Sequence, residues 1–166
     1  MNQNELKSFL EEAYHHYSGS DFISQDPICI PHSFSKKQDI EISALFASVL
    51  AWGQRITIIN KCRELMNLMD NSPYAFILEH RESDLKSLLK FKHRTFNTTD
   101  LLYFIEFLKF WYSNNESLES AFEISPDDQN VKEALISFHN NVFSLQDAPQ
   151  RTRKHISNPV RKSACK

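Results

Sequence analysis

The chain has 166 residues, with 19 Lys and Arg against 21 Asp and Glu, which gives a formal net charge of −2. This length suits one domain, and an apolar fraction of 41% is too high for a disordered chain. No apolar run is long enough to span a membrane and the N-terminus lacks a signal-peptide core, so we expect a cytoplasmic protein without a membrane partner. Three cysteines without CxxC spacing argue against a disulfide framework or a zinc site.

Glycine is scarce, because Gly19 and Gly53 are the only two in the chain. An average protein contains about 7% glycine. Dinucleotide-binding loops, phosphate-binding loops and the tight turns of β-hairpins all depend on this residue. The composition therefore predicts an all-α fold, which we expect to be one helical domain over residues 1–166, and it gives no sign of a cofactor.

The first three predicted elements are a helix, a loop and a second helix. Apolar residues recur at helical spacing over residues 2–17, which predicts an amphipathic helix. Two prolines favour an irregular loop over residues 20–34. Residues 39–52 are apolar nearly all round, which predicts a central buried helix with Asp39 or Ser35 as its N-cap.

A tight turn at Gly53 is predicted next, because glycine is the usual residue just beyond a helix C-terminus. Residues 54–70 then show another apolar stripe, which begins at Ile56 and predicts a second helix. Two short helices are expected over residues 73–80 and 84–91, each with a serine at its start.

The remaining predicted elements surround a very aromatic helix over residues 99–112, which we expect to pack against the central helix in the core. Ser117 opens a short helical turn. A further amphipathic helix is predicted over residues 126–145, since acidic residues suit its first turn. Residues 146–154 are expected to form a polar connector.

The charge is distributed unevenly, because residues 151–166 contain six basic residues and no acidic one, which leaves a net charge of −8 over residues 1–150. The six are Arg151, Arg153, Lys154, Arg161, Lys162 and Lys166. Ser157 or Asn158 followed by Pro159 predicts the start of a helix that the chain does not complete, so we expect the sequence to be truncated within an element. Such a basic segment is typical of a surface that meets a polyanion, and a solvated tail is the alternative.

A second basic segment, KFKHRTF over residues 90–96, alternates cations and aromatic residues. This pattern is typical of a loop that grips a nucleic-acid strand, with His93 and Arg94 as candidate contacts. The alternative interpretation is a solvated turn that Phe91 and Phe96 anchor in the core. Neither an HExxH nor a GxSxG motif occurs in the chain, so the sequence predicts no metal site and no nucleophilic serine.

Two segments resemble the helix-hairpin-helix DNA glycosylases. The first is ALFASVLAWGQRITIINKCRELM, residues 44–66, in which an apolar helix ends at Gly53 and Gln54 before a second helix. The other is ISNPVRKSACK, residues 156–166, which is similar to the hairpin of that superfamily. The order and separation of the two segments agree with the superfamily. This resemblance implies that residues 151–166 enter a helix-hairpin-helix-like motif.

The chain as a whole more closely resembles the domain of unknown function 2400 family, which is typical of Bacteroidota. The stretches that carry this resemblance are DPICIP, DIEISALFASVLAWGQR, FKHRTFNTTDLLYFIEFLK and NPVRKSACK, and they span residues 26–166. Members of the family continue beyond these stretches.

The glycosylase resemblance implies a DNA partner and particular roles for several residues. Gln54, at the tip of a turn, matches a residue that fills the gap left by an extruded base. Lys162 matches the lysine that attacks the sugar C1′ in bifunctional glycosylases, and is the candidate catalytic residue. Candidate nucleic-acid-binding residues are Gln54, Arg55, His93, Arg94, Arg151, Arg153, Lys154, Arg161 and Lys166.

The resulting interpretation is an all-α domain like the N-terminal part of the helix-hairpin-helix glycosylase fold, which binds DNA and could excise damaged bases. Whether the chain is an enzyme stays open at this point. The alternative is a non-catalytic helical protein that binds nucleic acid or another protein and kept only the fold. No cofactor or metal is expected, and the sequence does not indicate an oligomeric state.

Overall fold

A computed structural model describes residues 2–123, 125, 127 and 129–161 of the chain, except for the side chain of Ser20. These residues are mostly helical and contain no β-strand, which confirms the predicted all-α class. The only strand-like feature among them is an isolated bridge between His93 and Phe96. In this part of the chain no helix has the length and apolar character needed to cross a membrane.

Eight α-helices are present in the described residues. They are α1 (Gln3–Tyr17), α2 (Ser20–Ser24), α3 (Lys37–Val49), α4 (Arg55–Leu68), α5 (Pro73–Glu79), α6 (Glu82–Leu88), α7 (Thr98–Tyr112) and α8 (Lys132–Val142). Five 3-10 helices join or follow them: Pro27–Cys29, Pro31–Ser33, Leu118–Ala121, Gln150–His155 and Pro159–Arg161.

The hydrophobic core lies between α3, α4, α5, α6 and α7. The aromatic helix α7 is central to it, and its Phe104 ring meets the Phe46 ring of α3 edge to face at 6.3 Å between centroids. This contact confirms the predicted pairing of the two most apolar helices. On another side of α7, the Tyr103 hydroxyl donates to the Val142 carbonyl at 2.7 Å, which ties α8 to the core.

Helix α1 forms as predicted but contributes nothing to the core. Its N-terminus has a capping box, in which the Asn2 side chain accepts from the Glu5 amide and the Glu5 carboxylate accepts from the Asn2 amide. None of its residues is buried, and Phe9 and Tyr14 on its apolar stripe are 60% and 68% exposed. The helical period therefore identified the helix but not a burial partner for it.

The predicted irregular loop over residues 20–34 is wrong in its detail, because it contains α2 and two 3-10 helices. Pro27 and Pro31 each occupy the first position of a 3-10 helix, where the missing N–H costs nothing. The Asp26 side chain accepts from the Ile28 amide and caps the first of them. Proline thus starts short helices here and does not prevent them.

Two predicted helix starts were misplaced, those of α3 and α8, and the first residue of the predicted stripe of α4 is exposed. Helix α3 begins at Lys37, so Asp39 lies inside its first turn, where its carboxylate accepts from the Tyr74 amide of α5 at 2.8 Å. Ile56, predicted to begin the buried stripe of α4, is 75% exposed. Helix α8 begins at Lys132 and not near residue 126, and the preceding Val131 is exposed. For Asp39, the hydrogen bond with α5, and not the local sequence pattern, determines what the side chain does.

The Asp100 carboxylate joins α7 to the 3-10 helix Gln150–His155. It is fully buried, and it accepts from the Asn97 amide at 2.9 Å in the capping box of α7. The Thr152 hydroxyl donates to the same carboxylate at 2.8 Å, and the Arg151 guanidinium donates to both of its oxygens at 3.3 and 3.1 Å. The His155 ring lies 3.4 Å away. One side chain therefore starts a helix and holds a segment some fifty residues later in the chain.

These contacts set the ionisation of Asp100. Burial of the carboxyl raises its pKa, but the hydrogen bonds from Asn97, Thr152 and Arg151 lower it by more, so the pKa lies below the ordinary value of 3.8. A carboxyl with a lowered pKa stabilises the folded state above its unfolded pKa, and that stabilisation is lost as the pH falls through the folded value.

We expect Asp100→Asn to lower the free energy of unfolding by about 3 kcal/mol, because it removes a buried charge on which an arginine and a capping amide depend. Urea denaturation at neutral pH measures this difference. The wild-type protein should also lose stability as the pH falls below 3.8, and the variant should lack this part of the acid sensitivity.

Asp84 provides a matched control, because it caps α6 in the same way but is exposed. Its carboxylate accepts from the Arg81 amide at 2.8 Å. Asp84→Asn should therefore cost no more than about 1 kcal/mol. Equal losses for the two variants would show that the contacts of Asp100 with residues 151–155 contribute no stability.

Candidate nucleic-acid interface

The predicted turn at Gly53 is present, and it separates α3 from α4. Gly53 has a φ of +110°, a conformation that residues with a Cβ rarely adopt. The ring Nε2 of His93 lies 3.1 Å from the Trp52 carbonyl oxygen. Because a carbonyl only accepts, His93 donates through Nε2 in this contact. The side chain of His93 is buried and holds the turn in place.

The loop that contains His93 is itself tightly held. His93 and Phe96 exchange two backbone hydrogen bonds of 2.9 Å, and Phe91 and Phe96 are buried in the core. The anchoring role expected for these two phenylalanines is confirmed. Arg94, between them, has a φ of +53° and an exposed side chain.

Arg94 lies directly against the turn at Gly53. A Cβ built on Gly53 would lie 2.8 Å from Nε and from one terminal nitrogen of the Arg94 guanidinium. The guanidinium therefore occupies the space that a side chain at position 53 would need. Glycine at this position permits both the backbone conformation and the close approach of the arginine.

The basic segment that begins at Arg151 reaches the same loop. The Arg151 guanidinium donates to the Thr95 carbonyl at 2.9 Å while it also contacts Asp100. The side chain remains 44% exposed. Residues 52–56, 92–95 and 151 therefore form one continuous surface, which we call the Gly53 surface. Four of the candidate binding residues are exposed on it: Gln54, Arg55, Arg94 and Arg151. His93, also predicted as a contact, is buried beneath the surface and supports the turn, so that prediction is wrong.

The Gly53 surface carries four cations, Arg55, Lys92, Arg94 and Arg151. Residues 42–63 and 85–99 together contain seven Lys and Arg and no Asp or Glu. Arg55 lies 3.6 Å from Asp26 and above the Phe22 ring, so part of its charge is neutralised. Arg94 and Lys92 are exposed. Because Arg151 is paired with Asp100, Lys92 and Arg94 are the main sources of positive charge on this surface.

Helix α4 begins on this surface. Gln54 is its N-cap residue, with extended backbone and an exposed side chain. Among the described residues no side chain caps the amides of its first turn. The partial positive charge of the helix N-terminus therefore adds to that of the arginines.

The other candidate cations lie elsewhere or outside the described residues. The Arg153 guanidinium stacks over the Phe143 ring at 5.0 Å, and both Arg153 and Arg161 influence His139 of α8. Burial, together with these two cations, lowers the pKa of His139. Lys154 is exposed on the 3-10 helix Gln150–His155. Lys162, the candidate catalytic residue, and Lys166 lie outside the described residues.

The sequence did not identify two exposed apolar side chains of the Gly53 surface. Trp52 is 50% exposed and Ile56 is 75% exposed, although both were expected to belong to buried helix faces. Helix α3 ends at Val49, three residues before the predicted end, so Trp52 lies in the turn. The only indication in the sequence that residue 52 lies in a turn is that Gly53 follows it.

A separate apolar groove of about 360 Å³ lies between α3, the 3-10 helix Leu118–Ala121, α8 and Ile156. Glu41 lies at its wall, but its carboxylate accepts from the Tyr112 hydroxyl, the Ser117 hydroxyl and the Leu118 amide. These bonds satisfy the charge of Glu41. The groove is therefore suited to an apolar group.

The architecture is that of an all-α protein with a basic turn surface. The family model described as "Protein of unknown function (DUF2400)" matches residues 26–166, and the chain belongs to this family. The match begins just before the first 3-10 helix, so α1, which buries no residue, lies outside it. No significant match was found among curated proteins or solved structures.

We expect Gly53→Ala to lower the free energy of unfolding by about 2 kcal/mol, because alanine is strained at a φ of +110° and its Cβ displaces the Arg94 guanidinium. Thermal or urea unfolding measures the loss.

Gly19, the other glycine, provides the control. It has a φ of −75°, and a Cβ on it would meet nothing within 4 Å. Gly19→Ala should change stability by no more than about 0.5 kcal/mol. If Gly53→Ala were equally neutral, the turn would be able to relax without cost.

Proposed function

We propose that this protein binds DNA through the Gly53 surface and that it belongs to the DNA glycosylase-like superfamily. The observation that supports this proposal is that three separate parts of the chain, each with an exposed arginine, meet at one exposed turn. Residues 52–56 and 92–95 meet through the contacts of His93 and Arg94, and Arg151 joins them from the C-terminal part of the chain. Packing of the hydrophobic core does not require these segments to meet. Several cations at one place on the surface can, however, bind a phosphate backbone.

The residues of the surface suit different parts of a DNA molecule. Arg94 and Lys92 are exposed cations that would contact phosphates. Gln54 lies at the tip between two helices, where its amide would enter the space of an extruded base and hydrogen-bond the remaining one. Arg151 is held by Asp100, so its role would be to fix the loop as well as to add charge.

Base excision is the activity that the glycosylase resemblance implies. The neutral amine of Lys162 would attack the sugar C1′ as the bond from C1′ to the base breaks, and the base would leave with that electron pair and take up a proton. Loss of a proton from the amine and opening of the bond between C1′ and the ring oxygen would then give the Schiff base. This step requires a lysine that is held beside the DNA. Arg161, the last described residue, is exposed and adds a cation immediately before it.

DNA binding should depend steeply on salt, because each neutralised phosphate releases a counterion. We expect Arg94→Gln to weaken binding of a labelled duplex and to reduce the slope of log affinity against log salt by about 1. Fluorescence anisotropy at several salt concentrations measures both quantities.

Lys132→Gln removes the same charge from α8, where Lys132 lies 3.7 Å from Glu133. This variant should bind as the wild type does, apart from a small general effect of net charge. If the wild-type protein showed no salt-dependent binding, or if the two variants behaved alike, the Gly53 surface would not be the DNA-binding site.

Borohydride trapping tests the catalytic part of the proposal. The wild-type protein, incubated with a duplex that contains an abasic site, should form a covalent adduct that Lys162→Ala abolishes. Lys154→Ala, which removes an exposed cation eight residues earlier in the chain, should retain the adduct. Salt-dependent binding without any adduct would exclude the lysine mechanism and leave a DNA-binding protein.

The second candidate function is that of a helical protein that binds another protein. The apolar groove and the unburied stripe of α1 favour it, because both leave apolar surface without a partner among the described residues. This candidate predicts no salt-dependent affinity for DNA, so the anisotropy experiment distinguishes the two.

A further inference from the structure

Trp52 is the largest apolar side chain on the Gly53 surface. Half of it is exposed, and Ile56, at the start of α4, is exposed further. The other tryptophan of the chain, Trp111, is partly buried on α7, and its ring N–H donates to the Ser117 carbonyl at 3.0 Å. The two tryptophans therefore differ in environment, and only Trp52 lies among the cations of the turn.

The backbone of Trp52 is held on both sides of its side chain. Its amide donates to the Leu50 carbonyl at 2.6 Å, and its carbonyl accepts from His93 at 3.1 Å. Because His93 is buried and its loop is anchored by Phe91 and Phe96, this backbone is fixed to the core. The backbone that carries the ring is thus already held before a partner binds, which lowers the entropic cost of ordering the turn.

The surroundings of Trp52 suit a ligand that is both flat and anionic. Gly53 follows it, with the Arg94 guanidinium against the turn, and Arg55 lies on the first turn of α4. An aromatic face between cations is the arrangement that binds single-stranded nucleic acid, in which bases stack and phosphates pair with arginine. In a continuous duplex the base faces are already stacked on each other and are not accessible to a side chain.

We propose that Trp52 stacks on an unpaired base, so that the Gly53 surface prefers single-stranded or locally unpaired DNA to continuous duplex. This inference rests on the DNA-binding function proposed above and adds the class of substrate. Trp52 acts as a stacking residue, and Arg94 with Lys92 contacts the flanking phosphates. Ile56, at the start of α4, adds exposed apolar surface nearby in the chain.

The test combines tryptophan fluorescence with anisotropy, using the full chain and a short labelled oligothymidylate. Stacking on a base should quench the fluorescence of Trp52. The oligothymidylate should bind more tightly than a blunt duplex of the same length at the same salt concentration. Trp52→Ala should bind the oligonucleotide roughly 5- to 150-fold more weakly, whereas Trp52→Phe should retain most of the affinity.

Trp111→Phe is the matched control, and it should leave both the affinity and the quenching unchanged. Circular dichroism of each variant establishes that it is folded. If the oligonucleotide binds without quenching, or if quenching persists in Trp52→Phe, the stacking role is wrong while DNA binding stands. Tighter binding of blunt duplex would likewise overturn the substrate preference. If neither DNA binds, the proposed function itself fails.

Discussion

The buried carboxylate of Asp100 is the interaction on which the arrangement of the basic segments depends. It caps the central helix α7, and it draws Arg151 and Thr152 against the start of that helix. An unpaired carboxylate at this depth would be very costly, so the 3-10 helix Gln150–His155 is held in place as long as the core is intact. Through the Thr95 carbonyl, Arg151 extends this order to the loop beside Gly53.

A consequence of this arrangement is that the Arg151 charge of the Gly53 surface is fixed in position. Arginine side chains at a surface usually lose much conformational freedom when they bind a ligand. Here the Arg151 guanidinium is held by Asp100, and the Arg94 guanidinium lies against a glycine turn. Part of the entropic cost of binding an anion is therefore met during folding.

Much of the fold could be predicted from the sequence, because helical spacing and capping residues are local signals. The aromatic helix α7, the turn at Gly53 and the anchoring of Phe91 and Phe96 were all predictable in this way. What the sequence could not supply was the choice of distant partners. Asp39 looks like an N-cap of its own helix, yet it accepts from Tyr74 of α5, and the stripe of α1 has no buried residue.

The candidate site, too, could be predicted only in part, because local patterns identify residues but not their distant partners. Sequence pattern selected Gln54, Arg55, His93, Arg94 and Arg151 separately, and their meeting at one turn depends on contacts between residues far apart in the chain. Trp52 was missed because it was assigned to a helix that ends three residues earlier. Trp52 is exposed because α3 ends before it, and a run of apolar residues does not show where a helix ends.

The independence of α1 from the core has a consequence for the dynamics of the molecule. A helix of 15 residues is close to the limit of stability in water, and the contacts that support α1 lie at the surface: its capping box, the exposed Lys7 and Glu11 pair, and the Tyr17 ring against Phe22 of α2. Its amides should exchange with solvent through local opening, whereas those of α7 should exchange only when the whole core unfolds. The chain would then behave in solution as a cooperative body with an N-terminal helix that melts separately.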